Sequence, residues 1–171
     1  GGFGKCDNFP KELAGREWGE AGAVSLVAGS SGTADGKRQR FAVRLINRTE
    51  AVVGFAACDS CLYLTQEALD RAGNWRAIEL APDSDCGNSF HRVFLDKNQY
   101  WEFPAQRSSG TVKTKLRFRL DQGTSRSEDR HTGEEGQKRA FVFAAPGGHV
   151  FYSNAFDGWV TPSLYWLARD R

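Results

Sequence analysis

One stretch narrows the folds open to this chain. Lys113-Thr-Lys-Leu-Arg-Phe-Arg-Leu120 alternates without a break: Thr114, Leu116, Phe118 and Leu120 share one side, and Lys113, Lys115, Arg117 and Arg119 the other. A period of two marks a β-strand with one face on a core and the other turned out. A helix would scatter the four cations around its axis. The stretch therefore predicts a strand whose cations project from one sheet face over about 20 Å, at ~3.3 Å per residue.

The rest of the chain reads in the same way. Phe41, Val43 and Leu45 alternate with Arg40, Ala42, Arg44 and Ile46. Further strands are expected over 23–27, 52–57, 62–69, 75–80, 90–95, 99–103, 140–144 and 149–153, separated by clusters of Gly, Pro, Asn, Asp and Ser. Arg71-Ala-Gly-Asn74 predicts a hairpin of 62–69 with 75–80. Asp96-Lys-Asn98 predicts a second, of 90–95 with 99–103, and Pro146-Gly-Gly148 a third. Residues 156–167, which carry Trp159, Tyr165 and Trp166, are expected to fold back on the core as a lid.

Many short strands without a long amphipathic helix predict an all-β fold: a single-domain antiparallel β-sandwich, immunoglobulin-like or a related Greek key, with little helix. The 171 residues are enough for one core and short for two. Residues 1–21 read as an irregular N-terminal segment with anchors at Phe3, Phe9, Leu13 and Trp18, and 22–171 as the sandwich domain. Within it, 121–138 carries charges and glycines but no apolar anchor. It far exceeds the usual hairpin loop of ~2–5 residues, so a mobile excursion is expected there.

Charge and cysteine content bound the partners. A net charge of +2 is too small to imply nucleic acid, which requires clustered Lys and Arg. No apolar run approaches the roughly 20 residues that span a bilayer as a helix. The chain contains no methionine, which suggests a processed product or an excised piece, from which any leader would already have gone. Four cysteines are an even count, as in proteins of oxidising compartments, so a periplasmic, cell-surface or secreted location is expected. Cys58 and Cys61 are the first candidates for a bridge, and elimination leaves Cys6 with Cys86.

Five segments carry a resemblance: Phe41-Ala-Val-Arg-Leu-Ile-Asn-Arg-Thr49, Cys86-Gly-Asn-Ser-Phe-His91, Tyr100-Trp-Glu-Phe103, Lys113 to Leu120, and Phe151-Tyr-Ser-Asn154. Together they make roughly residues 38–160 resemble uncharacterised bacterial exported proteins with an immunoglobulin-like β-sandwich. The resemblance implies a compact β domain. It brings no activity, and no functional residue carries over.

Several constellations have chemical meaning. Cys58-x-x-Cys61 has the spacing of redox pairs, but β-type residues flank it rather than the helix N-terminus that stabilises a thiolate. With Cys86 and His91 it makes a Cys₃His set of the kind tetrahedral zinc accepts. Cys86-x₄-His91 also has the look of a copper loop. That site needs a second histidine and usually a methionine, and here the other histidines, His131 and His149, lie downstream. The plainer reading is a pair of structural disulfides and no cofactor. No Gly-x-Ser-x-Gly elbow or phosphate-binding loop is present, and among the carboxylates Asp83, Asp85, Glu102 and Asp157 nothing selects a catalytic pair. Asp83-Ser-Asp85 reads as a turn.

The remaining surface features point to binding. Lys113, Lys115, Arg117 and Arg119, with Arg40 and Arg44 on a neighbouring strand, would form a cationic sheet face for an acidic ligand: an acidic glycan, phospholipid headgroups or an acidic protein. Cross-strand Glu or Asp would instead make it an ordinary solvated face. Trp75, Tyr100, Trp101, Trp159, Tyr165 and Trp166 offer rings for sugar stacking, one of each adjacent pair being expected outward. Asn47-Arg-Thr49 matches a glycosylation acceptor. The expected function is a non-enzymatic binding or interaction module, with a metal or thiol protein as the alternative.

Overall fold

The alternating stretch is a strand, Val112–Asp121, inside the larger of two antiparallel sheets. The computed structural model describes residues 8–30, 41–58, 61–80, 90–105, 108, 110–123 and 148–164. In chain order the strands are β1 (Lys11–Glu12), β2 (Val24–Ser30), β3 (Phe41–Asn47), β4 (Val53–Cys58), β5 (Cys61–Leu69) and β6 (Trp75–Ala77). They continue with β7 (Phe90–Leu95), β8 (Gln99–Ala105), β9 (Val112–Asp121), β10 (Val150–Tyr152) and β11 (Phe156–Val160). The smaller sheet has the order β1-β8-β3-β2. The larger runs β10-β9-β5-β4-β7, with β6 also on β5 and β11 also on β9. The fold is an all-β sandwich, as the alternation predicts.

Period-two patterning fills the space between the sheets. Leu26, Ala28, Val43, Leu45 and Trp101 from the smaller sheet meet Val53, Phe55, Leu62, Leu95, Phe118 and Leu120 from the larger. Leu116 and Val160 extend this core at one end with Ala68 and Ile78. Gly158 is needed there, because a Cβ on it would overlap the Leu116 side chain. The outer face of the smaller sheet has its own cover: Leu13 and Trp18 pack on Ile46, Tyr100 and Val27. Described residues of the N-terminal segment are thus part of the fold, and Lys11–Glu12 pairs with β8.

Three expectations are corrected. The hairpin of 62–69 with 75–80 forms, as β5 with β6. The one expected of 90–95 with 99–103 does not: β7 pairs with β4, and β8 with β3 in the other sheet. The Asp96–Asn98 connection is a corner between sheets, held by Leu13 N donating to Asn98 O at 2.9 Å and by the left-handed Asn98, φ 56°. Residues 156–160 are a strand along β9 rather than a lid. Asp121, Gln122 and Gly123 belong to the framework: Gln122 O accepts from Ala56 N, and its Nε2 donates to Gly54 O, both at 2.9 Å. The expected excursion at 124–138, the strand at 140–144 and the ring pair Tyr165-Trp166 lie outside the described residues.

One edge of β9 carries two short strands in succession. β10 pairs with Arg119 to Asp121, and β11 with Val112 to Leu116. Ser153 joins them: its N donates to Phe118 O, and its Oγ accepts from Phe118 N, both at 2.9 Å. A hydroxyl thus stands in for a backbone carbonyl where the strand breaks. The break releases Asn154, whose side-chain amide reaches β2 in the other sheet.

Candidate functional site

Strand register decides what the basic face becomes. β11 sets Asp157 opposite Lys115 and Trp159 opposite Lys113; β5 sets Glu67 opposite Arg117; β10 sets Tyr152 opposite Arg119. Directly opposed residues share a face, so all of these stand on the outer side of the larger sheet. Lys115 Nζ lies 3.0 Å from Asp157 Oδ1, Arg117 Nε 2.7 Å from Glu67 Oε2, and Arg119 Nη2 3.2 Å from Asp121 Oδ2. Lys113 is the one cation of the four that forms no ion pair among the described residues. Three acids thus offset most of the four positive charges.

Arg117 is the most enclosed of the four. Its guanidinium carbon lies 4.2 Å from the centroid of Trp75 and 4.0 Å from that of Tyr152. A planar cation between two rings, with a carboxylate in its plane, is held by stacking and charge together. Glu67, only 8% exposed, has Arg117 as its counterion. Lys115 and Asp157, by contrast, are an exposed pair. The hydrogen bond from Lys115, and then its charge, lower the Asp157 pKa below the usual carboxylate value.

On this face Phe94 of β7 is 38% exposed, and two rings beside β9 stay open to solvent: Tyr152 is 48% and Trp159 43% exposed. They oppose Arg119 and Lys113, six residues apart on β9, so they are separated by about 20 Å along the sheet. Between them run the ion pairs of Arg117 and Lys115.

Other candidates fall elsewhere. Arg44 is on β3 in the smaller sheet, where its Nε donates to Glu102 Oε2 at 2.7 Å and its guanidinium lies 4.3 Å from the Trp18 centroid. It cannot extend the basic face of β9, and Arg40 lies outside the described residues. Tyr100 and Trp101 are each 6% exposed, so neither ring of that pair is open to solvent, although Tyr100 stands on the outer face of its sheet. Trp101 enters the main core, while Trp18 covers Tyr100 edge-on at 5.2 Å. Asn47 is fully buried. Its Nδ2 donates to Ala51 O and Leu95 O, and its Oδ1 accepts from Thr49. In the folded chain Asn47 is a core bracket and no attachment point for a glycan.

Cys58 and Cys61 are opposite each other in β4 and β5 but are not joined, so the expected bridge is absent here. Cys6, Cys86, Asp83 and Asp85 lie outside the described residues, and His91 is placed only by its backbone, opposite Ala57. Among the described residues no group of three His, Cys, Asp or Glu is arranged to hold a metal. No helix among them is long and apolar enough to cross a membrane.

Sequence reasoning missed Glu67, Tyr152 and Asn154. Glu67 sits in a segment readable as strand or helix, and only the β5–β9 register makes it the partner of Arg117. The molecule is an antiparallel all-β sandwich with a mixed aromatic and ion-paired outer face. No protein-family model matches the chain, and neither does any curated protein or solved structure.

Proposed function

We propose that this protein is an exported, non-enzymatic binding module of immunoglobulin-like type that takes a glycan carrying negative charge on the outer face of the larger sheet. The observation that carries the reading is the pair of exposed rings beside β9, Tyr152 and Trp159, with Lys113, the one of the four β9 cations that forms no ion pair among the described residues, opposite Trp159. An indole face stacks on the apolar side of a sugar ring, and an ammonium that forms no ion pair among the described residues is open to a carboxylate or sulfate. The described carboxylates of the face are engaged with cations, which favours recognition over acid–base chemistry. The even cysteine count supports an oxidising compartment.

Affinity electrophoresis through gels containing polygalacturonate or neutral β-glucan tests this. Migration slows in the acidic gel, and added salt weakens the effect. Lys113→Gln loses the acidic component, and Trp159→Ala loses retardation altogether while its melting temperature holds. Migration of the wild type unchanged by either polysaccharide, or Trp159→Ala retarded like the wild type, rejects the reading.

A further inference from the structure

Cys58 and Cys61 are Cα partners at one end of the β4–β5 ladder. The pair before them, Ala57 and Leu62, points inward: Leu62 is in the main core and Ala57 is 1% exposed. Side chains alternate along a strand, so Cys58 and Cys61 share the outer face. Opposed residues of an antiparallel pair have Cα atoms about 4.5–5.5 Å apart, inside the ~4.4–6.8 Å range that a disulfide spans. The two thiols differ in access, Cys61 being exposed and Cys58 only 3% exposed.

Their position matters to the sheet. β4 meets β5 at only these two residue pairs, whereas β4 pairs with β7, and β5 with β9, over six each. Besides this contact, the Gln122 bonds to Ala56 and Gly54 tie β4 to the end of β9. The cysteines therefore sit at the narrowest junction of the larger sheet.

We propose that Cys61 and Cys58 form a dithiol site that exchanges with low-molecular-weight disulfides and closes to a bridge latching β4 to β5. Cys61, deprotonated, attacks one sulfur of the small disulfide; a mixed disulfide forms and one small thiolate leaves, taking up a proton. Cys58 then loses its proton and attacks Cys61 Sγ, forming the Cys58–Cys61 bond and expelling the second thiolate, which is protonated in turn. Two electrons pass from the protein dithiol to the small disulfide, which departs as two thiols. Access decides the order, since the attacking thiolate must reach the disulfide and the resolving one need only reach its neighbour. The proposal is independent of the glycan reading.

The test treats the full chain with oxidised glutathione, quenches with acid and reads intact mass and peptide maps. The wild type is expected to lose two hydrogens, with Cys58 linked to Cys61, and the bridged form to unfold at higher urea than the reduced one. Cys58→Ser should stop as a glutathione adduct on Cys61, while Cys61→Ser should gain no adduct at Cys58 in the same time. Brief alkylation of the reduced wild type should label Cys61 before Cys58, a readout that does not depend on either variant folding. A lasting adduct on wild-type Cys61, a bridge from Cys61 to Cys6 or Cys86, or alkylation of Cys58 as fast as Cys61 would overturn the dithiol site. Equal unfolding midpoints would overturn the latch.

Discussion

The side-chain amide of Asn154 closes on both backbone groups of Ala28: Nδ2 donates to Ala28 O and Oδ1 accepts from Ala28 N, each at 2.9 Å. An amide carries a donor and an acceptor side by side, so one side chain imitates one residue of a neighbouring strand. It does so on β2, an edge of the smaller sheet, from a residue that follows β10 of the larger. Asn154→Ala leaves the N–H and C=O of Ala28, a residue 6% exposed, without these partners. The expected cost is about 1–2 kcal/mol in urea unfolding. An uncapped edge also invites strand addition, so the variant should elute earlier at high concentration in size-exclusion chromatography. An unchanged unfolding midpoint would show that water replaces the amide without loss.

Gln66 offers the opposite case. It is 1% exposed, opposite Phe118 in the β5–β9 ladder, and neither its Nε2 nor its Oε1 has a hydrogen-bond partner among the described residues. Replacing it with Met keeps length and flexibility and removes the unpaired polar atoms. Gln66→Met is expected to stabilise by roughly 1–2 kcal/mol, read as a rise in melting temperature. A fall of similar size would mean that the amide is satisfied in solution.

Lys115 and Arg117 look equivalent in the sequence and differ in the fold. Lys115→Gln removes one member of an exposed ion pair, and a change within ~0.5 kcal/mol is expected. Arg117→Gln removes a cation packed between Trp75 and Tyr152 and strips Glu67 of its counterion. Its cost is expected at about 2–3 kcal/mol, below the full range for deeply buried pairs because Arg117 keeps some solvent contact. Adding Glu67→Gln should recover part of the loss in a double-mutant cycle. Equal effects at the two positions would refute this division.

Glu79 makes stability depend on pH with an unusual sign. Its Oε2 accepts from Gln66 N at 3.1 Å, and the accompanying loss of water raises its pKa above the ordinary 4.5. The folded state then holds this proton more tightly than the unfolded one. The resulting penalty is absent below pH 4.5, grows as pH rises towards the folded pKa, and stays at neutral pH. Glu79→Gln keeps an acceptor for Gln66 N and abolishes the titration. It should be more stable than the wild type at neutral pH and indistinguishable from it well below the ordinary glutamate value. Asp70 and Asp157 run the other way: with lowered pKa values they stabilise above the unfolded carboxylate value and lose this as pH falls. Parallel urea melts across the acid range separate the two contributions, and a Glu79→Gln advantage that persists in acid would contradict the assignment.

Alternation was the legible part of this sequence. It places Leu116, Phe118 and Leu120 inward and identifies β3 and β9 from single stretches, because burial on one face imposes period two. It does not say to which sheet a strand belongs. Leu95 and Trp101 both point into the main core, yet they come from opposite sheets across the Asp96–Asn98 corner. Three residues suffice for a hairpin or for a crossing, and the sequence pattern of the two is the same. Pairing of the basic face was equally hidden, since Glu67 and Asp157 reach their cations only through registers that span 50 and 42 residues. Ser153 ends the strand expected over 149–153 and Asn154 follows it, and nothing local reveals that their side chains finish two ladders.

The divided edge of β9 also has a consequence for synthesis on the ribosome. β5 reaches one side of β9 from earlier in the chain, but the other side waits for β10 and β11, nearly thirty residues or more downstream of Asp121. Until they emerge, a ten-residue strand has one bare side, the template on which two nascent chains join. Its outward cations would then guard the half-made protein, since neighbouring copies bring like charges together. Lys113 and Lys115 thus serve first as mutual repellents between unfinished chains, and Lys115 only afterwards as the partner of Asp157, whereas Glu67 and Asp121 are already at hand for Arg117 and Arg119.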